Sequence, residues 1–132
     1  PHYIRPAMLQ QRLQKLMDEY VGGVGTWYMT SKYMLEEGFY YMKMLKEDSY
    51  HMCAENLHEL LRAWENFHRI LAGEAHARHI HFREETRYPG YYYRGDHLAI
   101  DDENWKCFVN STYDKETGEW KIFKKDYQQL VA

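Results

Sequence analysis

The sequence contains only two cysteines, Cys53 and Cys107, and they do not form the Cys-x-x-Cys pair that zinc sites and dithiol redox centres use. Two lone thiols are typical of a reducing compartment and predict a cytoplasmic protein, although they could also pair with each other. Neither a signal-peptide pattern nor an apolar run of about 18 residues appears, so we expect no membrane insertion. The net charge of −3 provides no global basic field, which argues against nucleic acid as a partner.

The 132 residues and their balance of 45% apolar and 28% charged side chains predict one globular domain. Apolar residues recur at helical spacing in three segments, which predicts three helices. The first helix begins at Pro6 and ends at a glycine-rich turn. The second is capped by Thr30 or Ser31 and ends near Glu47.

The third predicted helix is the longest, and it runs from a cap at Asp48 or Ser49 towards Ile80. Its predicted core face is an apolar stripe comprising Cys53, Leu57, Leu60, Leu61, Trp64, Phe67 and Leu71. About thirty helical residues span about 45 Å, so this helix needs partners along its length. Short connections between the helices predict an up-down-up bundle, similar to a spectrin repeat, over residues 1–82.

The sequence changes character in residues 83–132, which we expect to pack on the bundle as part of the same domain. Residues 88–96 read YPGYYYRGD, a tyrosine-rich loop. A short helical turn is predicted over 101–105. Alternating residues over 107–112 and 120–123 predict a small β-hairpin. The predicted fold class is therefore all-α, a three-helix bundle with a C-terminal loop and hairpin.

Histidines offer two candidate metal sites, and the sequence favours neither. His76, His79 and His81 could supply two ligands, but no third is evident and the neighbouring arginines repel a cation. The Glu-x-x-His pairs that begin at Glu55 and Glu65 lie about 15 Å apart along one helix, so they cannot share one centre. The sequence therefore predicts no metal ligands.

The end of the third helix is rich in arginine. Guanidinium groups at Arg78 and Arg83, next to His81, could bind an anion in a bidentate manner. Glu84 and Glu85 lie beside them and could occupy the same donors. The favoured interpretation is an internal ion-pair network that fixes the following loop to the helix end.

Aromatic residues make up 17% of the sequence, and several cluster in the tail. A stack of tyrosines and arginine could contact bases, but the acidic net charge argues against this use. Tyrosine, tryptophan and arginine are also the residues that dominate protein interfaces. The candidates for such an interface are Tyr91, Tyr92, Tyr93, Arg94, Trp105 and Trp120.

The pattern Arg78-x-x-His81-x-Arg83-x-Glu85, followed by Tyr-Pro and by DDENW, resembles the end of the succinate dehydrogenase and fumarate reductase flavoprotein family. That family carries Arg-Gly-x-His-x-Arg-x-Asp, a proline and Asp-Asp-x-x-Trp. Here His79 replaces the glycine, Glu85 replaces the aspartate, and two extra residues precede the proline. With the strings FREETRYPGYYYR, DDENWKCFVNSTYD, ETGEW, RLQKLMDEYVGGV and ELLRAWENFHR, these departures are similar to the adenylylsulfate reductase alpha-subunit branch.

The resemblance implies the C-terminal helical domain of a subunit that binds FAD and interconverts adenylylsulfate plus two electrons with AMP and sulfite. It implies a partner beta subunit with iron–sulfur clusters, and FAD-binding and capping domains upstream in the same subunit. The opening at Pro1, without an initiator methionine, is what we expect of a piece of a longer protein. By this resemblance the piece binds no cofactor itself, holds no catalytic residue and is inactive alone.

The resemblance also implies a bracing role. Arg78, His81 and Arg83 are the candidates to face the flavin domain, where their charge could help to stabilise a reduced, anionic flavin. The six aromatic and arginine residues of the tail are the candidates to contact the iron–sulfur subunit. Two alternatives stay open: a fumarate reductase or succinate dehydrogenase relative that acts on dicarboxylates, and an independent helical protein-interaction module.

Overall fold

The computed structural model describes residues 3–131, which are mostly helical with two small sheets. The helices are α1 (Pro6–Tyr20), α2 (Lys32–Ser49), α3 (Leu57–Phe82) and α4 (Asp102–Trp105). The strands are β1 (Met29–Thr30), β2 (Tyr93–Arg94), β3 (Cys107–Tyr113) and β4 (Trp120–Asp126). The predicted all-α class is thus confirmed only as mostly helical.

Local capping signals set three of the helix starts. Pro6 opens α1, because a proline at the first helical position gives up a hydrogen bond that would be missing anyway. The Ser31 hydroxyl accepts a hydrogen bond from the Met34 N–H and caps α2, and Asp101 caps α4 in the same way. These boundaries agree with the sequence-based prediction to within two residues.

The start of α3 differs from the prediction, because Asp48 and Ser49 form the last turn of α2 instead of capping α3. The Asn56 side chain accepts a hydrogen bond from the Glu59 N–H at 2.9 Å. The Glu59 carboxylate in turn accepts one from the Glu55 N–H at 2.7 Å. These two hydrogen bonds fix the start of α3 at Leu57, after a connection from α2 that the sequence analysis missed.

The three long helices pack on one another around an aliphatic core. The buried core residues contributed by α1, α2 and α3 are Leu9, Leu13, Leu16, Leu35, Met42, Leu45, Ile70, Ala77 and Ile80. At Gly73, a Cβ atom would lie 3.1 Å from the Met17 sulfur, so α1 and α3 approach each other closely there. None of the helices within residues 3–131 combines the length and apolar character that a membrane span needs.

The N-terminal half of α3 buries a different face from the one predicted. Its buried residues there are small or polar, Ala63 and Asn66, and the Asn66 amide donates a 2.8 Å hydrogen bond to the Pro6 carbonyl. The predicted stripe points outward, since Leu57 is 83% and Trp64 is 64% exposed. The stripe prediction was wrong in this half because the side of α3 that meets the start of α1 carries Asn66, whose amide bonds the Pro6 carbonyl, and not the apolar stripe.

Two small sheets attach the tail to the helices. Strands β3 and β4 form the predicted antiparallel hairpin, in register from Cys107 opposite Asp126 to Tyr113 opposite Trp120. Strands β1 and β2 form a parallel pair that the sequence analysis missed. In this pair the Tyr93 N–H donates to the Tyr28 carbonyl at 2.7 Å. The tyrosine-rich loop is therefore joined to the connection between α1 and α2.

Candidate functional site

The carboxylate of Glu85 is the common acceptor of the hydrogen bonds that hold the segment after α3, and the Glu85 side chain is fully buried. Arg83 Nη1 donates to it at 2.6 Å, and Arg87 donates from Nε and Nη2 at 2.7 and 3.0 Å. The Asp101 N–H adds a fourth hydrogen bond at 3.0 Å. Arg87 also pairs with Asp102 at 2.8 Å. We call Arg83, Glu85, Arg87 and Asp102 the Glu85 cluster.

Arg83 connects the end of α3 to the rest of the tail. Its two terminal nitrogens donate to the carbonyls of Trp105 and Cys107, each at 2.8 Å. The Trp105 ring lies edge-to-face with Phe82, with ring centroids 5.6 Å apart, and the Lys124 ammonium lies 3.8 Å from its centroid. The Arg83 guanidinium is therefore committed to internal acceptors, which leaves it few donors for an external anion.

Arg94 is buried and caps the C-terminal end of α3. Its Nη1 donates to the carbonyls of Ile80, His81 and Arg83 at 2.7, 3.0 and 3.0 Å. The last carbonyls of a helix have no partner within the helix and carry partial negative charge. A single guanidinium supplies both the missing donors and a positive charge at this end.

The other side of the Arg94 guanidinium forms a bidentate pair with Asp96, at 2.9 and 2.8 Å. Asp96 also accepts a 3.2 Å hydrogen bond from the Lys32 N–H in the first turn of α2. The hydrogen bonds from Arg94, against the opposing effect of burial, hold the pKa of Asp96 well below its usual range. This pair therefore ties the start of α2 to the end of α3.

Burial alone would raise the pKa of Glu85, because it disfavours the charged form. The hydrogen bonds from Arg87, from the Asp101 N–H and from Arg83 outweigh that effect and lower the pKa below its usual value. The Glu85 carboxylate is therefore ionised at neutral pH. It acts as the counter-ion of two arginines and has no proton to donate in acid–base chemistry.

We expect acid to destabilise the chain through these two carboxylates. The pKa values of Glu85 and Asp96 are lower in the folded chain than in the unfolded chain. The contribution of these carboxylates to the free energy of unfolding is therefore complete above the ordinary carboxyl pKa of about 4, and it is lost as pH falls through the lowered pKa values. Urea denaturation from neutral pH down to about pH 2 should show this loss. Asp96→Asn should be less stable at neutral pH and lose less stability in acid. Equal losses in both chains would contradict this prediction.

Arg78, His81 and Arg83 do not converge on one binding site in the structure. Arg78 donates twice to the Glu74 carboxylate, at 3.1 and 2.9 Å, and its guanidinium lies 4.6 Å from the Phe39 ring centroid. The His81 Nε2 atom lies 3.3 Å from a carboxylate oxygen of Glu36. Together with the Arg83–Glu85 pair, these contacts give each of the three residues its own carboxylate.

Two further contacts hold the hairpin against the helices. Lys46 of α2 donates to Glu74 of α3 at 3.3 Å and to the Tyr113 hydroxyl of β3 at 2.9 Å. Burial opposes the charge of Lys46, but Tyr113 and Glu74 outweigh it and raise the pKa of the amine. The His79 Nε2 atom lies 2.8 Å from the Ser111 hydroxyl on the same strand.

The histidines of α3 do not form a metal centre with their neighbours. Burial and the adjacent His79 lower the pKa of His76, and burial and Arg83 lower the pKa of His79, so both rings are neutral near pH 7. Within residues 3–131, no group of three or more His, Cys, Asp or Glu side chains could hold an ion. Cys53 and Cys107 are both free thiols.

Three of the six residues predicted for a protein interface are buried inside the chain: Tyr92, Arg94 and Trp105. Tyr91 is 81% exposed, while Tyr93 and Trp120 are partly exposed. The indole N–H of Trp120 is buried and has no acceptor in the described part of the chain. Of the six predicted residues, therefore, only Tyr91 and parts of Tyr93 and Trp120 lie on the exposed surface of the tail.

The roles of Arg87 and Asp96 were missed from the sequence. A usable signal was present, because Arg83-x-Glu85-x-Arg87 and Arg94-x-Asp96 have the spacing of two that puts side chains on one side of an extended chain. What the sequence did not reveal is which carboxylate becomes buried. Glu84 is exposed, and only Glu85 is enclosed by the tail.

The helical fold and its tail match a chain of the Mycobacterium smegmatis Sdh1 complex in the apo form, with a TM-score of 0.76. That match covers 99% of this chain and 22% of the other at 18% identity, and it shows a shared fold. Searched against models of protein families, the chain matches none.

Much closer similarity links the chain to adenylylsulfate reductases. It is 57% identical over 131 residues to the adenylylsulfate reductase subunit alpha of Megalodesulfovibrio gigas, which covers 99% of this chain and 20% of that protein. It matches adenylylsulfate reductase from the hyperthermophilic Archaeoglobus fulgidus with a TM-score of 0.97 and 50% identity, over 100% of this chain and 21% of that one. A solved adenosine-5-phosphosulfate reductase in complex with sulfite, as a covalent adduct, matches equally well.

In sequence and in fold, the chain is thus a close relative of one section of an adenylylsulfate reductase alpha subunit, which confirms the resemblance found from the sequence. It spans about one fifth of the length of the relatives that it matches.

Proposed function

We propose that the chain is the C-terminal helical domain of an adenylylsulfate reductase alpha subunit, an oxidoreductase of sulfur metabolism. The 57% identity to such a subunit along nearly the whole chain carries this proposal. The enzyme would interconvert adenylylsulfate plus two electrons with AMP and sulfite, in the cytoplasm. A succinate dehydrogenase or fumarate reductase relative is the weaker candidate, because the sequence identity to the Sdh1 chain is only 18%.

In this proposal the domain braces the flavin-binding part of the subunit, which means that it packs against that part as a rigid support. The three long helices would form the up-down-up bundle predicted from the sequence. Contacts that support this order are Arg12 of α1 with Asp48 of α2, Lys46 of α2 with Glu74 of α3, and Asn66 of α3 with the start of α1. The Glu85 cluster and the Arg94–Asp96 pair would keep the tail fixed on this bundle.

The cofactor of the parent enzyme, FAD, does not fit the residues of this chain. No glycine-rich turn between a strand and a helix, of the kind that cradles a dinucleotide, occurs within residues 3–131. The arginines at the exit of α3 already have carboxylate partners. We therefore assign FAD to the remainder of the alpha subunit and the iron–sulfur clusters to the beta subunit.

We still propose that the side of the chain that carries Arg78, His81 and Arg83 faces the flavin domain. Their carboxylate partners offset their charge, which favours a positioning role over stabilisation of an anionic flavin. For contact with the beta subunit we propose Tyr91, Tyr93 and Trp120. The buried Tyr92, Arg94 and Trp105 would support that surface from inside.

Deleting this domain from the complete alpha subunit tests the proposal. We expect the 132-residue chain alone to bind no flavin. The shortened subunit should lose FAD and no longer pair with the beta subunit, whereas the complete subunit should reduce adenylylsulfate and not fumarate. Flavin absorbance, co-purification of the beta subunit and assays with both substrates measure these outcomes. A shortened subunit with full FAD content and full turnover would contradict the proposal.

A further inference from the structure

The N-terminal half of α3 presents an apolar surface to solvent. Its members, which we call the apolar α3 face, are Leu57, Leu60, Leu61, Trp64 and Phe67 of α3, together with Tyr50 at the end of α2. They line one open groove, and the leucines and Trp64 are each more than half exposed. The helical part of the face is about 15 Å long. Contiguous exposed apolar surface of this kind marks an interaction site in folded proteins.

The internal packing of the chain gives this face its shape and leaves it open. The Phe67 ring lies between Tyr50 and Trp64, with centroid distances of 5.9 and 6.3 Å, so the aromatic side chains already support one another. None of the six members carries a formal charge. Such a surface resembles half of a buried core, which is typical of permanent interfaces and not of transient, electrostatically steered ones.

The path of the backbone indicates what lies next to this face. The Ile4 N–H donates to the His51 carbonyl at 3.0 Å, and the Cys53 N–H donates to the Ile4 carbonyl at 3.0 Å. Arg5 pairs with Glu55 just before α3 begins. The chain therefore enters the domain along the connection that leads into the face. Ile4 therefore lies at the edge of this face.

The C-terminal end of β4 lies far from this face. Tyr127, just after β4, packs against Phe108 of β3, with ring centroids 5.9 Å apart. Strand β3 in turn contacts the C-terminal half of α3, where His79 lies 2.8 Å from Ser111. Positions 57 and 79 of α3 are separated by about 33 Å along the helix axis. A segment that follows β4 is thus not tethered near the face.

We propose that the apolar α3 face is covered by the part of the alpha subunit that lies upstream of this chain. This inference rests on the proposed function, in which the chain is one section of a subunit about five times as long. A partner tethered at the edge of a binding surface has an effective concentration in the millimolar range, so it occupies that surface ahead of separate molecules. The start of α3 then adds a second surface of contact with the upstream part of the subunit, far from the arginine-rich exit of the helix.

Thiol labelling of Leu60→Cys tests the inference, with Tyr33→Cys on the exposed start of α2 as the matched control. N-ethylmaleimide should modify both cysteines rapidly in the 132-residue chain. In the complete alpha subunit without its beta partner, labelling at position 60 should slow at least tenfold relative to the 132-residue chain, while labelling at position 33 keeps its rate. Peptide mass spectrometry separates these sites from the native cysteines.

Three outcomes would overturn the inference. Protection of position 60 that appears only after the beta subunit is added would assign the face to that subunit. Protection that grows with concentration of the 132-residue chain would assign it to a second copy. Rapid labelling in every preparation would leave the face uncovered. FAD content and turnover, measured on the same samples, show separately whether the proposed function holds.

A charged substitution provides an independent readout. Leu60→Asp should leave the melting temperature of the 132-residue chain nearly unchanged, because Leu60 is more than half exposed there. The same substitution should lower the melting temperature of the complete alpha subunit, since it would bury a carboxylate against apolar surface. Equal shifts in the two proteins would also contradict the inference.

Discussion

Replacing Glu85 with alanine should lower the free energy of unfolding of the chain by about 3–5 kcal/mol. The substitution removes the common acceptor of Arg83 and Arg87 and leaves both guanidinium groups largely buried without that counter-ion. It also removes the acceptor of the Asp101 N–H. Urea denaturation at neutral pH, followed by circular dichroism, measures the change.

The adjacent residue provides a matched control. Glu84 is exposed, and Glu84→Ala should change the free energy of unfolding by no more than about 0.5 kcal/mol. If the substitutions at positions 84 and 85 had equal effects, the Glu85 cluster would not be the element that holds the tail.

Replacing Arg94 with methionine should be similarly costly, by about 3–5 kcal/mol. Methionine has a similar length but cannot donate to the three carbonyls at the end of α3, and it leaves Asp96 as a partly buried charge without its partner. Hydrogen exchange should show the last turn of α3 and the first turn of α2 opening more often, since Asp96 links them.

An exposed arginine on α3, the helix that Arg94 caps, serves as the comparison. Arg62 pairs with Glu65 at the surface, and Arg62→Met should cost less than about 1 kcal/mol. A small effect at Arg94, or exchange that rises evenly over all helices, would show that this residue is not the cap of α3.

The elements predicted correctly from the sequence are those with local signals. Pro6 and Ser31 mark helix starts through backbone chemistry that acts within one turn. The hairpin follows from alternation on either side of the turn at 114–118. The internal ion-pair network was also predicted, because glutamates next to arginines on a helix exit can satisfy them locally.

The features that could not be predicted depend on contacts between distant residues. The outward position of Trp64 accompanies the packing of Asn66 against the start of α1, which periodicity in α3 cannot reveal. Likewise, Arg94 was predicted to be an interface residue because the tyrosine- and arginine-rich composition of its loop is typical of protein interfaces. Only the three-dimensional arrangement shows that it lies against the end of α3, fourteen residues from Ile80 along the chain.

A structural role and a catalytic role of the Glu85 cluster at the end of α3 make opposite predictions for one measurement. That measurement is turnover per bound FAD in the assembled alpha–beta enzyme carrying Glu85→Gln. If the Glu85 cluster only holds the tail on the helices, the variant melts at a lower temperature, while turnover per flavin, measured well below melting, equals that of the parent. Reduced turnover per flavin at an unchanged melting temperature would contradict the structural role and place these arginines in the reaction itself.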